Sequence, residues 1–161
     1  MSEPNILVLG VGNLVMGDDG AGVRVVQRLQ SEYRMPGHVE IMDGGTLGLD
    51  ILPRLDGVGR LLMVDAVETG HGPGTCVRLA GEEIPLVLEN RISPHQMGIR
   101  DLLGVARLIG SLPQEIVLIG VQPGNIEMGT ELTPDVEAKV DVMLSNTLKE
   151  LQIWGVRPEP V

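Results

Sequence analysis

The stretch at residues 5–33, NILVLGVGNLVMGDDGAGVRVVQRLQSEY, constrains the fold more than any other part of this chain. Ile6 to Leu9 is a short apolar run of the kind a parallel sheet buries on both faces. Gly10, Gly12 and Asn13 end it, being residues that tolerate tight or left-handed backbone. MGDDGAG (16–22) follows, with Asp18 and Asp19 side by side. Gly22, Val25, Val26, Leu29 and Tyr33 then recur at helical spacing. The pattern predicts a strand, a glycine-rich loop and a helix. Two carboxylates fall at the C-terminal end of a buried strand, beside a helix N-terminus, where open α/β sheets bind their ligands.

The rest of the chain continues the alternation. A second short strand runs from Val39 to Met42 and closes on Asp43-Gly44-Gly45-Thr46. Leu47, Ile51, Leu52 and Leu55 predict a short helix that Pro53 bends or limits. A third strand, Arg60 to Val64, ends on Asp65, and Glu68 to Gly74 reads as a loop. The fourth strand, Thr75 to Leu79, follows with no helix between and so is expected to be antiparallel or at an edge. Ser93 and Pro94 lead into a helix carrying Ile99, Leu102, Leu103, Ala106 and Ile109 on one face. The fifth strand runs from Ile116 to Val121, ending in Gln122-Pro123-Gly124. In the last helix Thr133 is the expected cap and Pro134 suits the first turn. Its stripe is Val136, Val140, Met143, Leu144, Leu148 and Leu151, and Gly155 stops it. Residues 1–161 therefore read as a single three-layer α/β domain, one open, mostly parallel sheet with helices on both faces.

Composition narrows the partners. With no Phe, one Tyr and one Trp, the core must be Leu, Val, Ile and Met, and the eight methionines read mainly as filler. A net charge of −10 argues against nucleic acid and anionic membranes, which call for a basic face. It suits a cationic ligand or a basic partner, and equally plain solubility. Cys76 is the one cysteine, so no internal disulfide forms and a reducing cytoplasm is the natural setting. Its place in a strand suggests a small buried core residue. No leader-like segment and no apolar run of about eighteen residues points to export or membrane insertion.

Chemistry concentrates where strands end. Asp18 and Asp19 follow the first strand, Asp43 the second and Asp65 the third. Parallel strands end on one edge, so these acids can converge. Clustered carboxylates resist simultaneous ionisation unless a cation or a shared proton relieves them, which predicts a metal or acid–base catalysis. The plain alternative is that each Asp serves a turn or caps a helix. His38 sits in a turn and His71 reads as loop filler, whereas His95 falls in the first turn of a helix. The positive end of that dipole keeps an imidazole neutral and free to ligate. Asp19, Asp65 and His95 would make a mixed N/O site suited to nickel, zinc, copper or iron. GVGNLV (10–15) also begins like a dinucleotide fingerprint, with Asp43 where a ribose-binding acid would stand. Val15 replaces its third glycine, and Asp18 and Asp19 would repel a pyrophosphate. No GxSxG or cysteine–histidine arrangement offers a covalent route. Arg24 and Arg28 read as a solvated helix face, and Met16, beside the acids, as a possible substrate contact.

Five segments together resemble the hydrogenase maturation endopeptidases, which finish the large subunit of nickel–iron hydrogenases. They are GVGNLVMGDDGAGVRVV (10–26), DGGTLGLDIL (43–52), LLMVDAVETGHGPGT (61–75), ISPHQMGIRDLL (92–103) and IGVQP (119–123). The resemblance implies a twisted five-stranded sheet flanked by helices. It implies removal of a C-terminal extension from the large-subunit precursor once nickel has been inserted. By motif the family's metal-binding acids and histidine fall on Asp19, Asp65 and His95, and Asp43 matches a further acid the family needs. Asp19, Asp43 and Asp65 are thus the expected catalytic carboxylates. The nickel is carried by the substrate, and another divalent ion can take its place in vitro. The competing readings are a nucleotide-binding α/β module and a non-catalytic nickel carrier.

Overall fold

The computed structural model describes residues 4–84 and 94–161, with residues 94–98 as backbone only. Its main sheet has five strands: β1 (Asn5–Val11), β3 (Val39–Gly45), β4 (Val58–Ala66), β5 (Cys76–Ala80) and β6 (Glu115–Val121). They lie in the order β3-β1-β4-β6-β5. The first four are parallel, and β5 runs antiparallel to β6 on the edge, as expected of a strand reached without a helix. The helices are α1 (Ala21–Glu32), α2 (Pro94–Leu108), α3 (Pro134–Glu137) and α4 (Val140–Ile153).

Strand parity explains why the strand sequences are apolar throughout. Ile6 and Val8 of β1, with Leu62 and Val64 of β4, face Val25, Val26 and Leu29 of α1 and Met143, Leu144 and Leu151 of α4. Leu7 and Leu9, with Leu61 and Met63, face the other layer, Ile51 and Leu55 together with Ile99, Leu102 and Ala106 of α2. Both faces of the central strands are therefore dry, and an alternating polar pattern would fail on either side.

The strand order also locates the site. From β1 the chain passes through α1 to β3 on one side, then returns to β4 on the other. Strand order thus reverses between β1 and β4, and the crevice of such a sheet opens at the C-terminal ends of those two strands. α2 leads through residues 109–114 into the start of β6, at the opposite edge. A helix of fifteen residues spans roughly 22 Å, so its first turn, with His95, lies toward the edge where β1 and β4 end.

Several local expectations change. The segment Gly48–Leu55 is a 3₁₀ helix; Pro53 inside it has no N–H to donate, so a regular α-helical ladder cannot run through. The last helix is broken into α3 and α4 around Ala138 and Lys139. Thr133 stands at its N-cap without a side-chain capping bond, because its hydroxyl is used elsewhere. Asp43 lies inside β3 rather than after it. Cys76 is half-buried at the start of β5, and Ile109 lies beyond the end of α2 and is exposed. Tyr33–Arg34 (β2) pairs antiparallel with Glu159–Pro160 (β7), a small ribbon whose two residues per strand leave no periodic signal. Nor are Arg24 and Arg28 idle: Arg28 bridges Glu32 and Asp141, tying α1 to α4, and the Arg24 guanidinium donates to the Thr130 carbonyl. The expected start of α2 at Ile92 and Ser93 lies outside the described residues.

Candidate active site

Three glycines let the backbone close up around the acids. A Cβ on Gly22 would meet the Val64 carbonyl oxygen at 2.0 Å and the Asp65 Cα at 2.8 Å, so the first turn of α1 rests directly on the end of β4. A Cβ on Gly12, where φ is +131°, would meet the Asp19 carbonyl oxygen at 1.9 Å. A Cβ on Gly10 would meet Val26 at 2.7 Å. The glycine-rich loop is thus consumed by its own packing. Its glycines need no phosphate to account for them, and this removes the main support for the nucleotide reading.

The 3₁₀ turn Gly17–Gly20 carries Asp18 and Asp19 across the end of β4. The two neighbours do different things. Asp18 is fully buried, and its carboxylate accepts four hydrogen bonds from the segment after β6. Gly124 N–H at 2.8 Å, Asn125 N–H at 3.1 Å and the Thr133 hydroxyl at 2.8 Å donate to Oδ2, and Thr133 N–H at 2.8 Å to Oδ1. Asp19, 4% exposed, accepts the Asn13 N–H on Oδ2 at 3.0 Å, which folds the loop back over its carboxylate. Asp65, 2% exposed, accepts the Ala66 N–H on Oδ1 at 2.7 Å. Asp19 and Asp65 therefore sit on the two sides of the switch point.

Asp43 lies on the opposite face of the sheet from Asp65. It pairs with Gly10, which in turn pairs with Val64, so the pleat turns Asp43 toward α1. Asp65, one residue after Val64, faces the α2 layer. The exposed Asp43 carboxylate instead accepts Gly45 N–H at 3.1 Å and the Gln27 side-chain amide at 3.4 Å. That closes the turn whose Gly45 carbonyl receives Gly12 N–H at 2.8 Å.

His95 is in the first turn of α2, and its side chain lies outside the described residues. Among the described residues no group of three or more His, Cys, Asp or Glu is placed to hold a metal. His38 belongs to the opposite edge, where its carbonyl receives Ile6 N–H at the start of β1. His71 is exposed on the 68–74 loop.

From the sequence Gln122 is expected only as the end of a strand and as part of the IGVQP segment. It is buried and staples that loop: its Oε1 accepts Thr69 N–H at 2.6 Å and the Thr69 hydroxyl at 2.8 Å, and its Nε2 donates to Glu68 at 2.9 Å. A polar residue immediately after a buried strand was the available signal. An apolar recess of about 400 Å³ lined by Ile84, Leu103, Arg107 and Pro113 lies at the other edge, away from the acids.

The chain is an α/β protein with two buried carboxylates at its switch point, and the comparisons say to which family it belongs. Residues 23–150 match the family model for the hydrogenase maturation protease, and the chain belongs to that family. The match includes Asp43, Asp65 and His95 and begins just after Asp19. The chain is 42% identical over 156 residues to the hydrogenase 2 maturation protease of Escherichia coli K12, covering 96% of this chain and 95% of that one. It is 38% identical to the hydrogenase expression/formation protein HupD of Rhodobacter capsulatus, over 94% of this chain and 73% of the relative. In three dimensions it resembles the hydrogenase maturating endopeptidase HybD from E. coli, with a TM-score of 0.92, 41% identity and 97% of each chain covered. A [NiFe] hydrogenase maturation protease HybD from Thermococcus kodakarensis follows at a TM-score of 0.74 and 31% identity, over 90% of this chain and 97% of that one.

Proposed function

We propose that this chain is a cytoplasmic endopeptidase that removes the C-terminal extension of a nickel–iron hydrogenase large-subunit precursor after nickel insertion. The observation that carries the reading is the pair of buried carboxylates, Asp19 and Asp65, on the two sides of the switch point in a chain of this family.

The nickel is the precursor's cargo. Asp19 and Asp65 offer hard oxygen ligands and His95 a borderline nitrogen, a donor set that nickel accepts. Ligation from both sides anchors the precursor only when the metal is present, and this couples cleavage to completed insertion. The anchored tail then holds its scissile peptide beside the acids, replacing a bimolecular encounter with an intramolecular one. Water attacks the peptide carbonyl, which the metal would polarise, and Asp19 or Asp65, ligating through one oxygen, would take up the water proton on the other and return it to the departing amine. The C–N bond breaks, the departing amine takes a proton, and the mature C-terminus is left as a carboxylate. Asp43 supports this indirectly, by closing the Gly44–Gly45 turn that receives Gly12 N–H.

Covalent catalysis by cysteine has no support. The thiol of Cys76 is pushed up by burial, so less of it is thiolate at neutral pH. The reading is tested by processing of the precursor with Asp19→Asn, Asp65→Asn and His95→Ala. Each is expected to abolish removal of the tail; full processing by all three would sink it.

A further inference from the structure

Asp18 is a fully buried carboxylate that the reaction above does not use. Its four hydrogen bonds all come from residues 124–133, and its own N–H donates to the Asn125 carbonyl at 2.9 Å. Beside it, Gly17 N–H donates to the Gly129 carbonyl at 2.9 Å and Gly129 N–H to the Val15 carbonyl at 2.8 Å. An irregular segment of exposed residues is thus clamped along the same turn that bears Asp19.

The segment and the turn beside it each expose one apolar side chain, with Glu127 and Glu131 exposed around them. Met128 is 86% exposed and Val15, across the Gly129 bonds, is 50% exposed. Met16, the earlier candidate for substrate contact, is half-buried and serves the clamp through its bridge to Gly129. The segment curls around a largely polar cleft of about 420 Å³, lined by Asn125, Glu127, Met128, Glu131 and Thr133 and touched by Gly17 of the turn. Fixing an exposed segment with charge-assisted bonds from a buried acid costs desolvation. The return is pre-organisation of whatever the segment touches.

We propose that residues 124–133 form a fixed arm that docks the precursor segment next to its metal, with Met128 and Val15 as apolar contacts, and that Asp18 is the positioning residue that sets the arm against the Asp19 turn. The inference rests on the proposed function for the identity of its occupant.

The test is a double-mutant cycle on binding and turnover of the nickel-loaded precursor. Asp18→Asn keeps the shape, but with its oxygen on the Gly124 and Asn125 N–H groups its NH2 must face the Thr133 N–H, donor against donor, so it unpins the arm at that end. Met128→Ala removes a side chain that stands in solvent. Asp18→Asn is expected to weaken binding about tenfold, raising KM more than it lowers kcat. Met128→Ala is expected to weaken it about fivefold, and the double variant to be no weaker than Asp18→Asn alone, because an unpinned arm no longer presents residue 128. Unchanged binding by Met128→Ala, or effects that multiply in the double variant, overturns the proposal. If Asp18→Asn does not fold, Thr133→Ala, which removes only the bond from the threonine hydroxyl, replaces it in the cycle under the same criteria. Binding is read directly, so a parent protein that binds the precursor but does not cleave it defeats the proposed function and leaves the arm standing. A parent that does not bind defeats both.

Discussion

Gly22 and Val64 are packed so closely that a methyl group on the first would stand 2.0 Å from the carbonyl oxygen of the second. This approach seats α1 on β4 and brings the Asp19 turn to the end of the strand that carries Asp65. On helix propensity alone, Gly22→Ala would stabilise α1 by about 1 kcal/mol. The backbone clash reverses the sign, and the substitution is expected to cost about 3 kcal/mol. Urea denaturation measures it; an unchanged midpoint contradicts the packing described.

Asp43 is expected to act through its turn rather than on the substrate. Asp43→Asn keeps an oxygen for Gly45 N–H, so it should process precursor at close to the parent rate. Asp43→Ala loses that acceptor and is expected to process it more slowly, by about tenfold. Asn and Ala equally inactive would instead make the carboxylate itself catalytic.

Arg78 grips Glu150 with two hydrogen bonds of 2.9 and 2.8 Å, joining β5 to α4. Glu150 is buried while Arg78 is half exposed, so the two ends are unequal. The arginine's proton is held more tightly, chiefly through its bond to the carboxylate. Arg78→Leu leaves a buried charge without its partner and is expected to cost about 2 kcal/mol, at the low end for a buried pair because the cation is solvated. Replacing both residues with leucine should recover most of that loss. A double variant as unstable as Arg78→Leu contradicts the argument.

Burial raises the Cys76 thiol above its ordinary pKa, so its thiolate fraction at pH 8 falls below that of an exposed cysteine. Alkylation by iodoacetamide is expected to be slow at pH 8 and to quicken as pH rises further. Cys76→Ala should leave processing intact. Rapid labelling at neutral pH, or loss of processing in the variant, contradicts a structural role.

The order and type of the main strands and helices were legible because the chain buries both faces of its central strands, leaving apolar runs between glycine turns; their exact ends were not. The edge position of β5 followed from the missing crossover helix. That Asp18, Asp19 and Asp65 stand at neighbouring strand ends followed from parallel strands sharing an edge. Three things were hidden for physical reasons. Parity depends on register, and only the pairing of Gly10 with both Asp43 and Val64 shows Asp43 facing α1. The role of Asp18 depends on partners more than a hundred residues away, so in the sequence it could not be told from its neighbour. Thr133 looked like a cap because its flanks suit one, but a buried carboxylate competes for its hydroxyl and wins.

On the proposed function, the metal carried by the precursor licenses its cleavage. The most direct test mixes the purified protein with its precursor, once nickel-loaded and once nickel-free, and follows the mass of the large subunit's C-terminus. Loss of a defined tail from the loaded precursor alone is the predicted result. Equal loss from both would contradict metal licensing and make Asp19 and Asp65 catalytic groups that do not report on nickel.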